Sequence, residues 1–265
     1  MTITIERIAE LERANYIAMF PMVGVTPGMD LIVRDDIILT SNEILPMPDS
    51  THACLLRATP ETADDLICQV IDYFKSKKLP TLVFVSPACT PPELPERLLR
   101  HGFVKQKQQE HWIVFEHALS LKLPDADPRV IVERATAGDA LTFAHTFALA
   151  FELPPESAPQ IAQLLRPSID LAGNYHYLAF VDKQPVATLS LICHENIGVI
   201  GSGGVIPGHR GGRLIASLCI QAVDRTRREH PMDTVIGQTT EPLVQRLLRI
   251  SGFKTAFSRT CYSLP

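Results

Sequence analysis

Residues Ile197 to Leu218 read IGVIGSGGVIPGHRGGRLIASL, an apolar run that passes through a glycine-rich turn into an amphipathic helix. Past the turn, Ile215, Leu218, Cys219, Ala222 and Val223 recur at the i, i+3, i+4, i+7, i+8 spacing of one helical face, while Ser217, Gln221, Asp224, Arg225 and Arg228 take the others. A helix patterned this way packs on something flat. Just before its first turn stand Gly208, His209, Arg210, Gly211 and Gly212. Backbone N–H groups without intrahelical acceptors therefore lie at the positive end of the helix, beside basic side chains. An anion, above all a phosphate, suits such a place. Upstream, the pair Gly203–Gly204 inside a strand predicts a bulge or a weak edge.

Working outward, the order of elements over 129–265 can be read from periodicity and punctuation. Val130–Val132 is a strand, Thr136 caps a helix over 139–150, and a proline-rich loop, 152–159, leads into a helix from Gln160 to Arg166. Strands Tyr175–Val181 and Val186–Cys193 meet across a hairpin turn at Asp182–Pro185. After the opening stretch come a strand at Thr234–Gln238, a helix at Pro242–Arg249 and a final strand region, 254–264. Part of this plan occurs twice. ELPERLLRHGF (93–103) echoes EPLVQRLLRISGF (241–253), and each copy follows an amphipathic helix and a short strand: Ala63 to Phe74, then Leu82–Val85, in the first. The join is Ser120–Pro128, with two prolines, two aspartates and no periodicity. The expectation is an α+β protein of two tandem lobes, 1–120 and 129–265, each a mixed, mostly antiparallel sheet flanked by helices.

Composition agrees with two lobes. The 265 residues are 46% hydrophobic and 20% charged, enough for two cores. A net charge of −4 gives no broad attraction to nucleic acid, and no apolar run approaches a membrane span of about 20 residues. The amino-terminal stretch carries Glu6, Glu10 and Glu12 and reads as an amphipathic helix, not an export signal. Six scattered cysteines without a Cys-x-x-Cys pair suggest reduced thiols in a cytoplasmic protein. Histidines and cysteines show no zinc spacing.

The turn Val205-Ile206-Pro207-Gly208-His209-Arg210-Gly211-Gly212-Arg213-Leu214-Ile215 resembles motif A of the GCN5-related N-acetyltransferases (GNATs), Arg/Gln-x-x-Gly-x-Gly/Ala after a strand ending in Val-x-Pro. Counted from Arg210, Arg213 and Ile215 stand where that family has small residues; counted from His209, Gly212 falls in place but the basic first residue is lost. The order of elements from 129 to 265 resembles a whole GNAT lobe. With the echo in 1–120, the chain looks like the bacterial tandem-GNAT proteins whose first copy has lost its cofactor loop. Here Leu56 to Thr62 precedes the first helix without a glycine, and Glu61 would repel phosphate.

What the resemblance implies is an acetyl-CoA-dependent N-acetyltransferase. Gly204, Val205, Arg210, Gly211, Gly212, Arg213, Leu214 and Ile215 would hold the cosubstrate, and its pantetheine arm would lie between the strand ending at Val205 and Val235–Gln238. No metal is implied. An amine of a small molecule or peptide would attack the thioester directly. In the family a tyrosine four residues before the Gly of Gly-Phe often protonates the leaving thiolate; Leu248 stands there, leaving Tyr262 or Cys261 as substitutes. Glu152, Glu156, His176, His194, Glu195 and Ser202 all lie in segments that could supply the base. The acceptor pocket is expected from the 150–165 loops and the interface between the lobes, and exposed sheet edges permit a homodimer as readily as a monomer. Two other readings stay open: an acyl-CoA binder or sensor without turnover, suggested by Leu248 and Ile215, and an interaction scaffold.

Overall fold

The computed structural model describes residues 3–116, 129–211, 213–250 and 252–265. The expected linker, Ser120–Pro128, and Gly212 lie outside the described residues. In chain order the elements are α1 (Ile5–Ile17), α2 (Phe20–Val23), β1 (Met29–Val33), β2 (Ile38–Asn42), β3 (His52–Cys54), α3 (Ala63–Ser76), β4 (Thr81–Val85), α4 (Leu94–Arg100) and β5 (Val104–Glu116). Then follow β6 (Val130–Arg134), α5 (Ala140–Ala150), α6 (Ala158–Leu165), β7 (Asn174–Val181), β8 (Gln184–His194), β9 (Ile197–Val205), α7 (Arg213–Glu229), β10 (Thr234–Thr239), α8 (Pro242–Ile250) and β11 (Lys254–Leu264). The fold is α+β, with mixed, mostly antiparallel strand pairing flanked by helices. Among the described residues no helix is long and apolar enough to cross a membrane.

Two compact units divide the chain, Met1–Trp112 with Ala256–Pro265, and Ile113–Thr255. The division therefore differs from the one expected near residues 120–129. It falls inside β5, and the closing strand goes to the first unit. The reason is pairing. β11 runs antiparallel to β4 with Thr260 opposite Val85, Cys261 opposite Phe84 and Tyr262 opposite Val83. The end of β5 instead supplies Ile113 and Phe115 to the core of the second unit.

In the first unit the strands run β1-β2-β3-β4-β11-β5, and β3 and β4 are the parallel pair that α3 connects. Ala63, Leu66, Ile67, Val70 and Phe74 of α3 are buried, as their spacing predicts. In the second unit the order is β5-β10-β9-β8-β7-β6, with β9 and β10 parallel and α7 connecting them. Along β7 and β8 the residues alternate. Tyr175, Tyr177, Ala179, Leu189 and Leu191 face the core beneath α7, whereas Leu178 packs with Phe143 of α5. The β7–β8 hairpin turns on Asp182 (φ 49°) and Lys183 (φ 66°), both left-handed as a two-residue turn of this kind demands.

The sequence echo has a geometric counterpart. After α4, Gly102 takes φ 88° and Phe103 N–H reaches back to Leu98 O at 3.1 Å; after α8, Gly252 takes φ 104° and Phe253 N–H reaches Leu248 O at 3.0 Å. Both helices thus end in a left-handed glycine followed by a buried phenylalanine anchor. A second match is in the backbone: Leu55, just past β3, and Ser202, within β9, both stand at φ 51°, each five residues before a proline, Pro60 and Pro207.

Candidate functional site

The three-residue parallel ladder of β9 and β10 joins Ile197 with Thr234, Gly198 with Val235 and Val199 with Ile236. β9 then continues to Val205 with partners on the β8 side: Ile200 faces Leu191, Gly201 faces Ser190, Gly204 faces Thr188 and Val205 faces Ala187. Between Gly201 and Gly204 three steps of β9 oppose two of β8, so the strand bulges at Ser202–Gly203. Ser202 takes the left-handed conformation, and Thr188 Oγ1 donates to its carbonyl at 2.8 Å. Beyond the bulge Gly204 lies against the end of α5, where a Cβ would come within 2.8 Å of Phe151 and 2.9 Å of Ala150. Glycine is required there by close approach. At Gly201 a Cβ would meet nothing within 4 Å.

The turn that follows is a single 3-10 turn, Pro207–His209, before α7 starts at Arg213. A helix of 17 residues with no acidic side chain in its first turn leaves the amides of Arg213, Leu214 and Ile215 without intrahelical acceptors and without a local carboxylate competing for them. Gly211 and Arg213 are exposed and Leu214 is partly buried. Ile215, the branched residue where the motif has a small one, is 6% exposed and sits in the core beneath α7, so its bulk turns inward. Burying it contributes roughly 2 kcal/mol to the packing of α7.

Arg210 is not a free cation at this helix end. Its Nε donates to Val205 O at 3.2 Å, Nη2 donates to Ala150 O at 2.8 Å, and Nη1 lies 2.6 Å from Glu152 Oε1. The side chain expected beside a phosphate is folded onto the ends of β9 and α5. Nothing in the local sequence signals this, because Ala150 and Glu152 are some 60 positions away.

Among the six base candidates the structure separates roles. Glu152 is the partner of Arg210. Glu156 is exposed in the Pro155–Ser157 turn, and Glu195 is exposed in the β8–β9 turn, where its carbonyl accepts from His230 Nε2 at 2.7 Å. His194 ends β8, partly exposed, and Ser202 forms the bulge. His176 alone is buried, with Nδ1 2.7 Å from Ser190 Oγ, its ring edge-on to Phe143, and Nε2 without a partner. Burial, reinforced by the charge of Arg134, lowers its pKa to about 4, so the ring is neutral near pH 7. Ser190, its partner across the β7–β8 ladder, escaped the sequence reading because strand register is not local.

In the first unit the chain stays bonded past the parallel pair β3–β4. After β4, Thr90 N–H donates to Leu56 O at 2.9 Å, Ala58 N–H donates to Thr90 O at 3.2 Å, and Arg57 bridges Thr90 in parallel. Deeper in that unit Arg259 is buried, with Nε donating to Glu110 at 2.6 Å and Nη1 to Tyr16 OH at 3.0 Å and to Glu12 at 3.3 Å. Tyr16 OH in turn meets His52 Nε2 at 2.5 Å, and Ser86 donates to the second oxygen of Glu12 at 2.5 Å.

No protein-family model matches the chain, and no curated protein matches it significantly. Solved structures do. A GCN5-related N-acetyltransferase from Kribbella flavida superposes on 100% of this chain and 96% of its own, with a TM-score of 0.71 at 16% identity. The fold is that of the GCN5-related N-acetyltransferases. A tandem GNAT protein from the clavulanic acid biosynthesis pathway covers 96% of this chain and 93% of its own (TM-score 0.61, 14% identity), and a GCN5-related N-acetyltransferase from Sphaerobacter thermophilus covers 88% and 81% (0.61, 14%). Identities this low carry the fold and not the chemistry.

Within this GNAT fold Leu248 is 3% exposed in the core beneath α7, with no hydroxyl to offer. Its expected substitutes are in the other unit. Tyr262 is buried in the first unit's core with Leu39, Val83 and Phe103, and Cys261 stands beside it on β11, its thiol pushed up to about 11 by burial. Both stand where β11 pairs with β4. Among the described residues no group of three or more His, Cys, Asp or Glu could hold a metal.

Proposed function

We propose that the second unit binds acetyl-CoA as cosubstrate and transfers its acetyl group to the amine of a small molecule or peptide. One observation carries the reading: the parallel pair β9–β10 loses its pairing after Val199 and Ile236, and the freed strand bulges and ends at the N-terminus of a 17-residue helix. A diphosphate would lie against the amides of Gly211, Gly212, Arg213, Leu214 and Ile215, with Gly204 and Val205 beside the pantetheine. The arm would run along the unpaired edge of β9 like an added strand. The thioester carbonyl would accept from a backbone N–H freed by the bulge. Attack by a neutral amine forms the C–N bond and breaks the C–S bond, and the proton shed by the nitrogen passes through water to the departing sulfur. The thiolate leaves with the electron pair, a departure its pKa of about 8.5 allows without a tyrosine. The six free cysteines support a reducing, cytoplasmic setting.

Calorimetry with the folded full chain tests this reading. Saturable heat with acetyl-CoA is expected; none at millimolar ligand would sink it. A second reading, an acyl-CoA binder without turnover, draws support from the buried Leu248. Thiol release from acetyl-CoA across a panel of primary amines separates the two, since turnover with any of them excludes the silent protein.

A further inference from the structure

The C-terminal end of α5 can be accounted for carbonyl by carbonyl. Ala148 O accepts from Leu153 N–H at 2.8 Å, and Leu149 O accepts from Glu152 N–H at 3.3 Å, the pair of bonds that closes a helix on a left-handed residue. That residue is Glu152, φ 55°, where glycine or asparagine is usual. Ala150 O is left over, and the guanidinium of Arg210 takes it. The same guanidinium holds the Glu152 carboxylate and the carbonyl that ends β9. Glycine at 204 lets the two ends meet, with Ala150 and Phe151 directly over it. Arg210 therefore stands in the turn assigned to the cosubstrate, while its side chain ties down the start of the segment 151–157 that leads to α6.

Building on the proposed function, we propose that Arg210 is a positioning residue that couples the cosubstrate turn to the acceptor side: a ligand ordering the turn orders Arg210, and through it the segment 151–157. Arg210 in this arrangement spends three of its five N–H donors on Val205, Ala150 and Glu152, which holds the guanidinium on the ends of β9 and α5 and gives it a positioning role in place of a phosphate contact. Linkage makes the effect reciprocal, so an acceptor held by that segment would tighten the cosubstrate as well.

Hydrogen exchange of the full chain, read by mass spectrometry over 150–157, tests this with and without acetyl-CoA, in the natural protein and in Arg210→Ala and Arg210→Lys. Expected are faster exchange of 150–157 in Arg210→Ala than in the natural protein without ligand, and ligand-induced protection of that segment in the natural protein but not in Arg210→Ala. The acetyl-CoA Kd of Arg210→Ala is expected to stay within about threefold. Arg210→Lys, which keeps the charge but not the fork, should recover only part of the protection. A Kd weakened tenfold or more, about 1.4 kcal/mol, would make Arg210 a phosphate ligand and overturn the proposal, as would protection persisting in Arg210→Ala. If the natural protein binds no acetyl-CoA, the functional reading fails, and the ligand-free comparison still decides whether Arg210 secures the segment.

Discussion

Replacing Arg259 by methionine should destabilise the first unit more than any surface change. The guanidinium is flanked by Glu110 and Glu12, donates to the phenol oxygen of Tyr16, and lies 4.6 Å from the Phe84 ring centroid and 4.7 Å from that of Trp112. Methionine fills part of the volume but leaves two buried carboxylates without their cation, a change that costs about 3–5 kcal/mol when a buried pair is broken. Set against a typical stability of about 5–15 kcal/mol, that is a large fraction. Trp112, the one tryptophan in the chain, is fully buried in this cluster and stacks on Phe257, so its fluorescence reports the unit directly. With a urea slope of about 2 kcal/mol per molar, a loss of about 4 kcal/mol lowers the midpoint by about 2 M. Burial pushes both carboxyl pKa values up and the charge of Arg259 opposes it, leaving Glu12 above and Glu110 below the usual carboxylate value, so without Arg259 both rise. Their ionisation then opposes folding, and the deficit should be larger at pH 8 than at pH 5. A midpoint moved by less than about 0.5 M, or a deficit that grows on acidification, would refute the reasoning. Replacing Glu12 and Glu110 by apolar residues along with Arg259 should restore most of the loss.

The remaining predictions concern both units. His52 and His176 are held neutral by burial, with pKa values lowered to about 3 and about 4. Each takes up a proton on unfolding below about pH 6.5, so stability should fall as pH drops from there toward 4, by up to about 1.4 kcal/mol per unit per histidine; denaturant midpoints against pH should flatten in His176→Gln. Gly204→Val should cost about 1–3 kcal/mol by forcing Phe151 and Ala150 away, whereas Gly201→Ala, in open space, should change stability by less than about 0.5 kcal/mol; thermal melts compare them. A fragment of residues 129–265 lacks Phe115, which packs on Phe253 and under Arg227, and Ile113, which packs on Gly237. Near-ultraviolet circular dichroism should find it without fixed tertiary packing, and a native-like spectrum would contradict the division inside β5.

Much of the second unit was legible because its signals are local. Helical spacing in α7 and α3, the capping threonine at 136, the hairpin turn at 182–183 and the Gly-Phe helix ends each depend on residues within a turn or two of one another. The glycine pair marked the bulge for the same reason, although its strain falls on Ser202 and its close approach on Gly204.

What sequence alone determined, then, is the order of elements over 129–265, a part of that order in the first unit and the helix end suited to a phosphate, since periodicity and backbone punctuation carry these. Tertiary structure decided which strand β11 joins, where Arg210 spends its donors, that Ile215 turns inward, and which histidine is buried with a partner. Those outcomes are competitions between groups far apart in the chain, settled by strand register and burial. A carbonyl 60 positions away from Arg210 leaves no trace in the letters around it.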